Sequence, residues 1–218
     1  VVAIGALYER GRIEEAWTRM TALEALPRQD LPADVAARFY LRRGQMWRSR
    51  DRLELAIKNF REAVRQADRP DAPPQAADAA AEALALWARE LETDQPEQAR
   101  ERLGEALKRV DCTLAAVAVE EARLILDAGQ GRHSEAILSA EILATLQQAL
   151  GEPEREARFL KLAAGLAIQA GDWASAERRY AVATRLIMAS RNPFLIRSLL
   201  GERLASLNLH RETAQVPL

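Results

Sequence analysis

The sequence predicts an all-α chain, folded as a right-handed solenoid of helix-turn-helix repeats. Three observations carry that prediction. Ala, Leu, Arg and Glu dominate the composition, and these residues lose little side-chain freedom in a helix. Apolar residues recur at spacings of three and four through the long segments, and no segment alternates with period two over a useful length. A small alanine stands early in the second helix of five successive units, at Ala16, Ala56, Ala99, Ala136 and Ala176, with separations of 40, 43, 37 and 40 residues. A repeat of that size is the mark of stacked helical pairs.

The units follow in order. The first spans about 1–29: a short helix carries Leu7 and Tyr8, stops at Gly11, and a second helix aligns Ile13, Ala16, Trp17, Met20 and Leu23. Pro27 ends that helix, because proline cannot continue one it interrupts, and Asp30 to Pro32 connects onward. The second unit, about 30–70, places Ala36, Phe39, Tyr40, Gly44 and Trp47 on one face. It turns at Arg50-Asp51 and continues through Leu53, Ala56, Ile57, Phe60, Ala63 and Val64. Arg69 to Pro74 breaks the chain. The third unit, about 74–111, opens with an Ala-rich helix through Leu84, Leu86, Trp87 and Leu91. It breaks at Thr93-Asp94 and restarts at Pro96, a tolerated first-turn proline, to carry Ala99, Leu103, Ala106, Leu107 and Val110.

The fourth unit, about 112–151, runs from Leu114 through Leu126, breaks at Gly129 to Gly131, and resumes from Ala136 to Leu146. The fifth, about 153–191, contains the most regular stretch of the chain, LAAGLAIQAGDWASAERRYAVATRL from Leu162 to Leu186. Small residues there permit close helix approach, and Gly171-Asp172 separates the two helices. A capping helix over 193–209 carries Phe194, Leu195, Leu199, Leu200, Leu204 and Leu207, and His210 to Leu218 starts a partner helix and frays. The chain opens on Val1 and reads as a fragment of a larger protein.

These residues resemble the tetratricopeptide repeat family. In the second unit the family pattern falls on Tyr40, Arg43-Gly44, Trp47, Leu53, Ala56, Phe60, Ala63 and Pro70. In the fifth it falls on Leu160, Ala163-Ala164, Ala167, Gly171, Trp173, Ala176, Tyr180 and Ala183. The first keeps Gly11, Ile13, Ala16, Met20, Leu23 and Pro27, while the third and fourth are degenerate. The family's usual unit is about 34 residues, and the longer spacing here looks like that of bacterial regulators and adaptor proteins.

The resemblance implies a concave groove, lined by the first helix of each pair, that binds a peptide, helix or partner domain. Its groove positions fall on Arg38, Leu41, Arg42, Gln45 and Arg48 in the second unit and on Leu84, Ala88 and Leu91 in the third. In the fourth they fall on Glu121 and Ile125, and in the fifth on Arg158, Lys161 and Ile168. The ends of such a groove are basic and its middle apolar, which suits an amphipathic partner with some acidic residues; the competing reading is ordinary solvated charge on a helix face. The Lys and Asn set with which some members clamp a terminal carboxylate has no counterpart in the first unit.

The leading functional reading is therefore a protein-interaction module or scaffold. Two alternatives stand beside it: a ligand- or peptide-sensing regulatory domain of a larger bacterial regulator, and a structural scaffold of an envelope or secretion assembly. The formal net charge of −1 argues against a general polyanion binder. The run RRGQMWRSRDR, Arg42 to Arg52, joins basic residues to a tryptophan, yet its charges spread around the helix and Trp47 sits at a core position, so nucleic acid is set aside as a partner. The four tryptophans, Trp17, Trp47, Trp87 and Trp173, are expected in packing.

The single cysteine, Cys112, allows no intrachain disulfide and is expected to pack as a small hydrophobe. Cys112 and His133 lack a third orienting group. No phosphate loop, metal-spaced histidine cluster or nucleophile elbow appears, so neither catalysis nor a cofactor or metal is expected. No apolar run is long enough to span a membrane. The cytoplasm is the favoured compartment and the periplasm the alternative. The apolar face of the capping helix is expected to support a homodimer.

Overall fold

The computed structural model describes residues 1–24 and 31–214, less the side chains of Val2, Glu9 and 210–214. The expected stop at Pro27, the connector residue Asp30 and the tail 215–218 lie outside the described residues.

Among the described residues the chain is all-α, with eleven helices and no strand. They are α1 (Val2–Glu9), α2 (Ile13–Glu24), α3 (Ala33–Arg48), α4 (Leu53–Ala67), α5 (Gln75–Leu91), α6 (Pro96–Leu107), α7 (Thr113–Gly129), α8 (His133–Ala149), α9 (Pro153–Gln169), α10 (Trp173–Ser190) and α11 (Pro193–Ala214). Helical hairpins repeat along the chain: a helical-repeat fold. The chain forms two compact units, Val1–Ala122 and Arg123–Leu218.

One turn chemistry recurs. At Gly11, Asp51, Gly131, Gly151 and Gly171 the backbone enters the left-handed region. The next residue's amide reaches back to a carbonyl five positions earlier: Arg12 to Leu7, Arg52 to Trp47, Arg132 to Asp127, Glu152 to Gln147 and Asp172 to Ala167, at 2.8–3.0 Å. This bond satisfies a carbonyl that the helix end would leave open. Gly171, at φ +81°, shows why glycine serves: a Cβ disfavours that conformation. Asp172 then accepts the amide of Ser175 at 3.0 Å and caps α10.

In the first unit, the α1/α2 hairpin packs on α3. Ile4, Leu7, Ala16, Met20, Phe39 and Met46 form one buried cluster, and Trp17 meets Trp47 edge to face with centroids 4.8 Å apart. At Gly44 α3 lies close against α4: a Cβ there would lie 2.6 Å from Cδ1 of the fully buried Phe60 and 3.2 Å from the Ala56 carbonyl. Helix α5 touches α3, α4 and α6 and is buried on several sides, which its alanines permit. Trp87 lies between two guanidiniums, Arg61 at 4.8 Å and Arg102 at 4.5 Å from its ring centroid.

In the second unit, α8, α9 and α10 pack in sequence and α11 lies on α10. Ala157, Ala164, Ala167, Ala176, Tyr180, Ala183, Ile187 and Leu199 form its buried cluster. The five period-setting alanines, Ala16, Ala56, Ala99, Ala136 and Ala176, are all buried. Helix α11 continues to Ala214, and Phe194, Leu200, Leu204, Leu207 and Leu209 on it are exposed, Phe194 at 85%.

Polar contacts keep the same period. Ion pairs or hydrogen bonds join Arg42 to Glu82, Arg48 to Glu90, Arg109 to Asp68, Arg179 to Glu141, Lys161 to Glu202 and Asn192 to Glu154, partners 38–42 residues apart. Each spans one repeat.

Candidate functional site

The candidate site lies in the first unit, on the side where the leading helices α1, α3 and α5 adjoin. Their apolar stripes bury against α2, α4 and α6, which leaves a polar stripe on the other side. On α3 that stripe runs Arg38, Arg42, Gln45 at spacings of four and three. On α5 it runs Glu82 to Arg89, two turns apart. The start of α7 is tied to α5, since the amides of Asp111 and Cys112 both donate to Asp78 Oδ1 at 3.1 Å.

The centre of the stripe is a closed polar network. Arg42 Nη1 donates to Gln45 Oε1 at 2.8 Å and to Glu82 Oε1 at 3.3 Å, and Gln45 Nε2 donates to Glu82 Oε1 at 2.8 Å. From α1, the Tyr8 hydroxyl donates to the Gln45 carbonyl at 3.3 Å. Gly5 lets Arg42 cross close to α1: a Cβ there would lie 3.0 Å from the Arg42 Nε. A Gln almost out of water must satisfy its amide internally, and Gln45 does so. One turn further on, Arg48 Nε donates to Glu90.

Two guanidiniums differ from these. Arg38 and Arg89 are both half-buried, and among the described residues neither makes a hydrogen bond or an ion pair. Burial, and next the like charge of Arg48, hold the Arg89 pKa below the ordinary guanidinium value, while Glu121, Glu90 and Glu92 offset part of that.

The remaining residues expected in the groove fall into two groups. Leu41, Leu84, Ala88 and Leu91 are packed inside, at 2%, 1%, 2% and 8% exposure. Glu121 is half-buried on the part of α7 that belongs to the first unit. The second unit holds Ile125, half-buried; Arg158, exposed; Lys161, paired with Glu202 at 2.7 Å; and Ile168, packed on the buried cluster. The structure thus joins Arg42, Gln45 and Arg48 to α5 through Glu82 and Glu90, two acids that the family pattern does not mark. A visible signal existed for them: Glu82 and Glu90 are two of only four charges, with Asp78 and Arg89, in an otherwise Ala- and Leu-rich helix.

No family model matches the chain, and no curated protein does. The chain is similar to solved structures, one of which is a Signal Transduction ATPase with Numerous Domains (STAND) protein with a tetratricopeptide repeat sensor from Pyrococcus horikoshii. The likeness has a TM-score of 0.44 at 14% identity and covers 94% of this chain. The chain spans 34% of the length of that structure's chain.

The basic run Arg42 to Arg52 is largely neutralised. Besides the pairs above, Arg43 lies 2.5 Å from Glu24, and Arg50 binds Glu14 at 3.0 Å while stacking on Trp17 at 4.1 Å. Cys112 corrects the expectation that it packs as a hydrophobe: it is exposed, and its Sγ accepts the Ala115 amide at 3.5 Å, because it stands at the start of α7 where amides lack carbonyl partners. His133 belongs to the other unit. Among the described residues no group of three His, Cys, Asp or Glu side chains could hold a metal, and no helix is long and apolar enough to cross a membrane.

The second unit also has a hollow of about 510 Å³ beside α10, lined by Ile168, Trp173, Ala176, Tyr180, Ser206 and Leu207 with Asp172 and Glu177 among the polar residues. Its acids are occupied: Asp172 caps α10 and Glu177 binds Arg203.

Proposed function

We propose that this chain is a protein-interaction module that takes a partner segment along the α1, α3 and α5 side of its first unit. The observation that carries the reading is the state of Arg38 and Arg89. Arg42, Arg48, Glu82 and Glu90 around them are paired, whereas these two half-buried cations make no hydrogen bond or ion pair among the described residues. A half-buried charge without a hydrogen bond or ion pair loses hydration, and at Arg89 the nearby carboxylates return only part of that. Binding is where that cost is recovered.

The rigid polar floor between them favours the same reading. A network with its bonds satisfied needs no rearrangement when a partner arrives, and a preorganised surface loses less entropy on binding. The burial of Leu41, Leu84, Ala88 and Leu91 means that the partner meets charge and amide on this side, with Arg38, Arg42, Arg48, Arg89 and Glu121 within its reach.

The test is a peptide-library selection against the full 218-residue chain, followed by photo-crosslinking of the winning peptides. Crosslinks on α1, α3 and α5 are expected. Crosslinks confined to other helices, or a selection that enriches nothing, would remove the reading.

A further inference from the structure

The two guanidiniums without a hydrogen bond or ion pair among the described residues stand at opposite ends of the same stripe. Arg38 lies one turn before Arg42, and Arg89 lies beside Arg48, which is ten residues beyond Arg38 on α3. At 1.5 Å per residue Arg48 is about 15 Å along α3 from Arg38, and the sideways step to Arg89 on α5 adds a little to that. Between them stand Arg42, Gln45 and Glu82, which bond one another.

We propose that Arg38 and Arg89 form a two-ended acid-reading site, each taking one carboxylate of an extended partner segment whose two acidic side chains are four residues apart. The proposal rests on the docking reading above and names the chemistry of its partner. Carboxylate matches a guanidinium because two parallel N–H donors meet two acceptor oxygens. The spacing follows from the geometry. An extended chain advances about 3.3 Å per residue, so residues four apart are about 13 Å apart and point to the same side. Side-chain reach covers the difference.

A helical partner fits less well. It needs an apolar strip to bury, and the floor here offers amide and charge. The acids already near Arg89 set the selectivity at that end. Glu121, Glu90 and Glu92 lower the local positive potential, so an isolated anion is held weakly and the site gains from two ends acting on one chain.

The experiment uses the full chain and labelled nine-residue peptides of Ser and Thr with glutamates at positions 3 and 7, read by fluorescence anisotropy at low salt. Affinity about tenfold above that of the same peptide with Gln at both positions is expected. Moving the glutamates to positions 3 and 5 removes most of that gain. Arg38→Gln and Arg89→Gln each cost about fivefold, abolish the dependence on spacing, and leave the far-UV spectrum unchanged; Arg→Lys at either position restores part of the loss.

Affinity independent of spacing, or both Gln variants binding like the parent, overturns the proposal. Tighter binding of a single-stranded oligonucleotide that loses affinity in both variants overturns it too, in favour of phosphate. A selected peptide that crosslinks to α3 and α5 but carries no acidic pair overturns the two-ended site and leaves the docking reading standing, whereas a selection without winners removes both.

Discussion

Gly44→Ala should destabilise the protein, although a helix interior normally gains from that change. In an unencumbered helix the substitution contributes about 0.5–1 kcal/mol of stability, because glycine loses the most backbone freedom on folding. At Gly44 the new methyl meets Cδ1 of Phe60 at 2.6 Å and the Ala56 carbonyl at 3.2 Å. Phe60 has no exposed surface into which to retreat, and Ala56 is backbone on the partner helix. Overpacking of this kind costs about 1–3 kcal/mol. The net expectation is a loss of about 1–2 kcal/mol, or about 2–8 °C in Tm for a chain of this size. Two controls carry the opposite sign. A Cβ at Gly104 in α6 or at Gly165 in α9 meets nothing within 4 Å, so Ala at either should raise Tm. Thermal and urea unfolding of the three variants, followed by circular dichroism, decide the matter. If Gly44→Ala stabilises as Gly104→Ala does, the close crossing of α3 and α4 is refuted. The double variant Gly44→Ala with Phe60→Leu tests the cause, since removing part of the ring should return some of the loss.

Three further expectations follow from charge and exposure. The Glu62 pKa is lowered from its ordinary 4.5, first by its hydrogen bond from Arg65, so its contribution to stability is complete above about pH 4.5 and is lost as pH falls through the lowered value; a carboxyl NMR titration should place Glu62 below the exposed glutamates. Burial raises the Tyr180 pKa above its ordinary 10.0, a shift that the hydrogen bond with Ser206 only partly offsets. The neutral phenol is therefore the stabilising form, and its contribution is present below pH 10 and lost as pH rises through the raised value; ultraviolet absorbance should show one tyrosine ionising later than the others, and Tyr180→Phe should remove it. The exposed apolar residues of α11 should associate in a second copy of the chain, with light scattering at micromolar concentration giving a dimer mass for the parent and a monomer mass for Leu204→Glu.

The sequence made the fold legible because the fold's constraints are local and repeated. A three-four apolar rhythm, alanines 37–43 residues apart and glycine-containing turns each mark one hairpin, and the structure has hairpins at those places. The turn at Asp51 was legible for the same reason, since Asp tolerates the left-handed conformation better than most residues with a side chain. The polar stripe was less legible. A family pattern records which positions tend to face a groove, but it cannot distinguish a half-buried arginine that is paired from one that is not. Arg42 and Arg38 look alike in the sequence. Their difference depends on Glu82, forty residues away, whose carboxylate reaches Arg42. The same holds on α5, where Leu84, Ala88 and Leu91 are apolar and therefore compatible with a groove wall or with the interior. The decision belongs to the helices packed around α5, which bury them.

The period of the polar contacts has a kinetic consequence. Arg42 with Glu82, Arg48 with Glu90, Arg179 with Glu141 and Lys161 with Glu202 each close a segment of 38–42 residues. The entropy of closing a segment depends on its length only logarithmically, so within each unit these steps of assembly face nearly the same barrier. Assembly can then start wherever two neighbouring hairpins first meet and grow outward by equal increments. The same regularity acts in reverse on heating. In the 218-residue chain α1/α2 is only lightly joined to α3, whereas α3/α4 is packed extensively on α5, so α1/α2 should exchange its amide hydrogens before α3/α4 does.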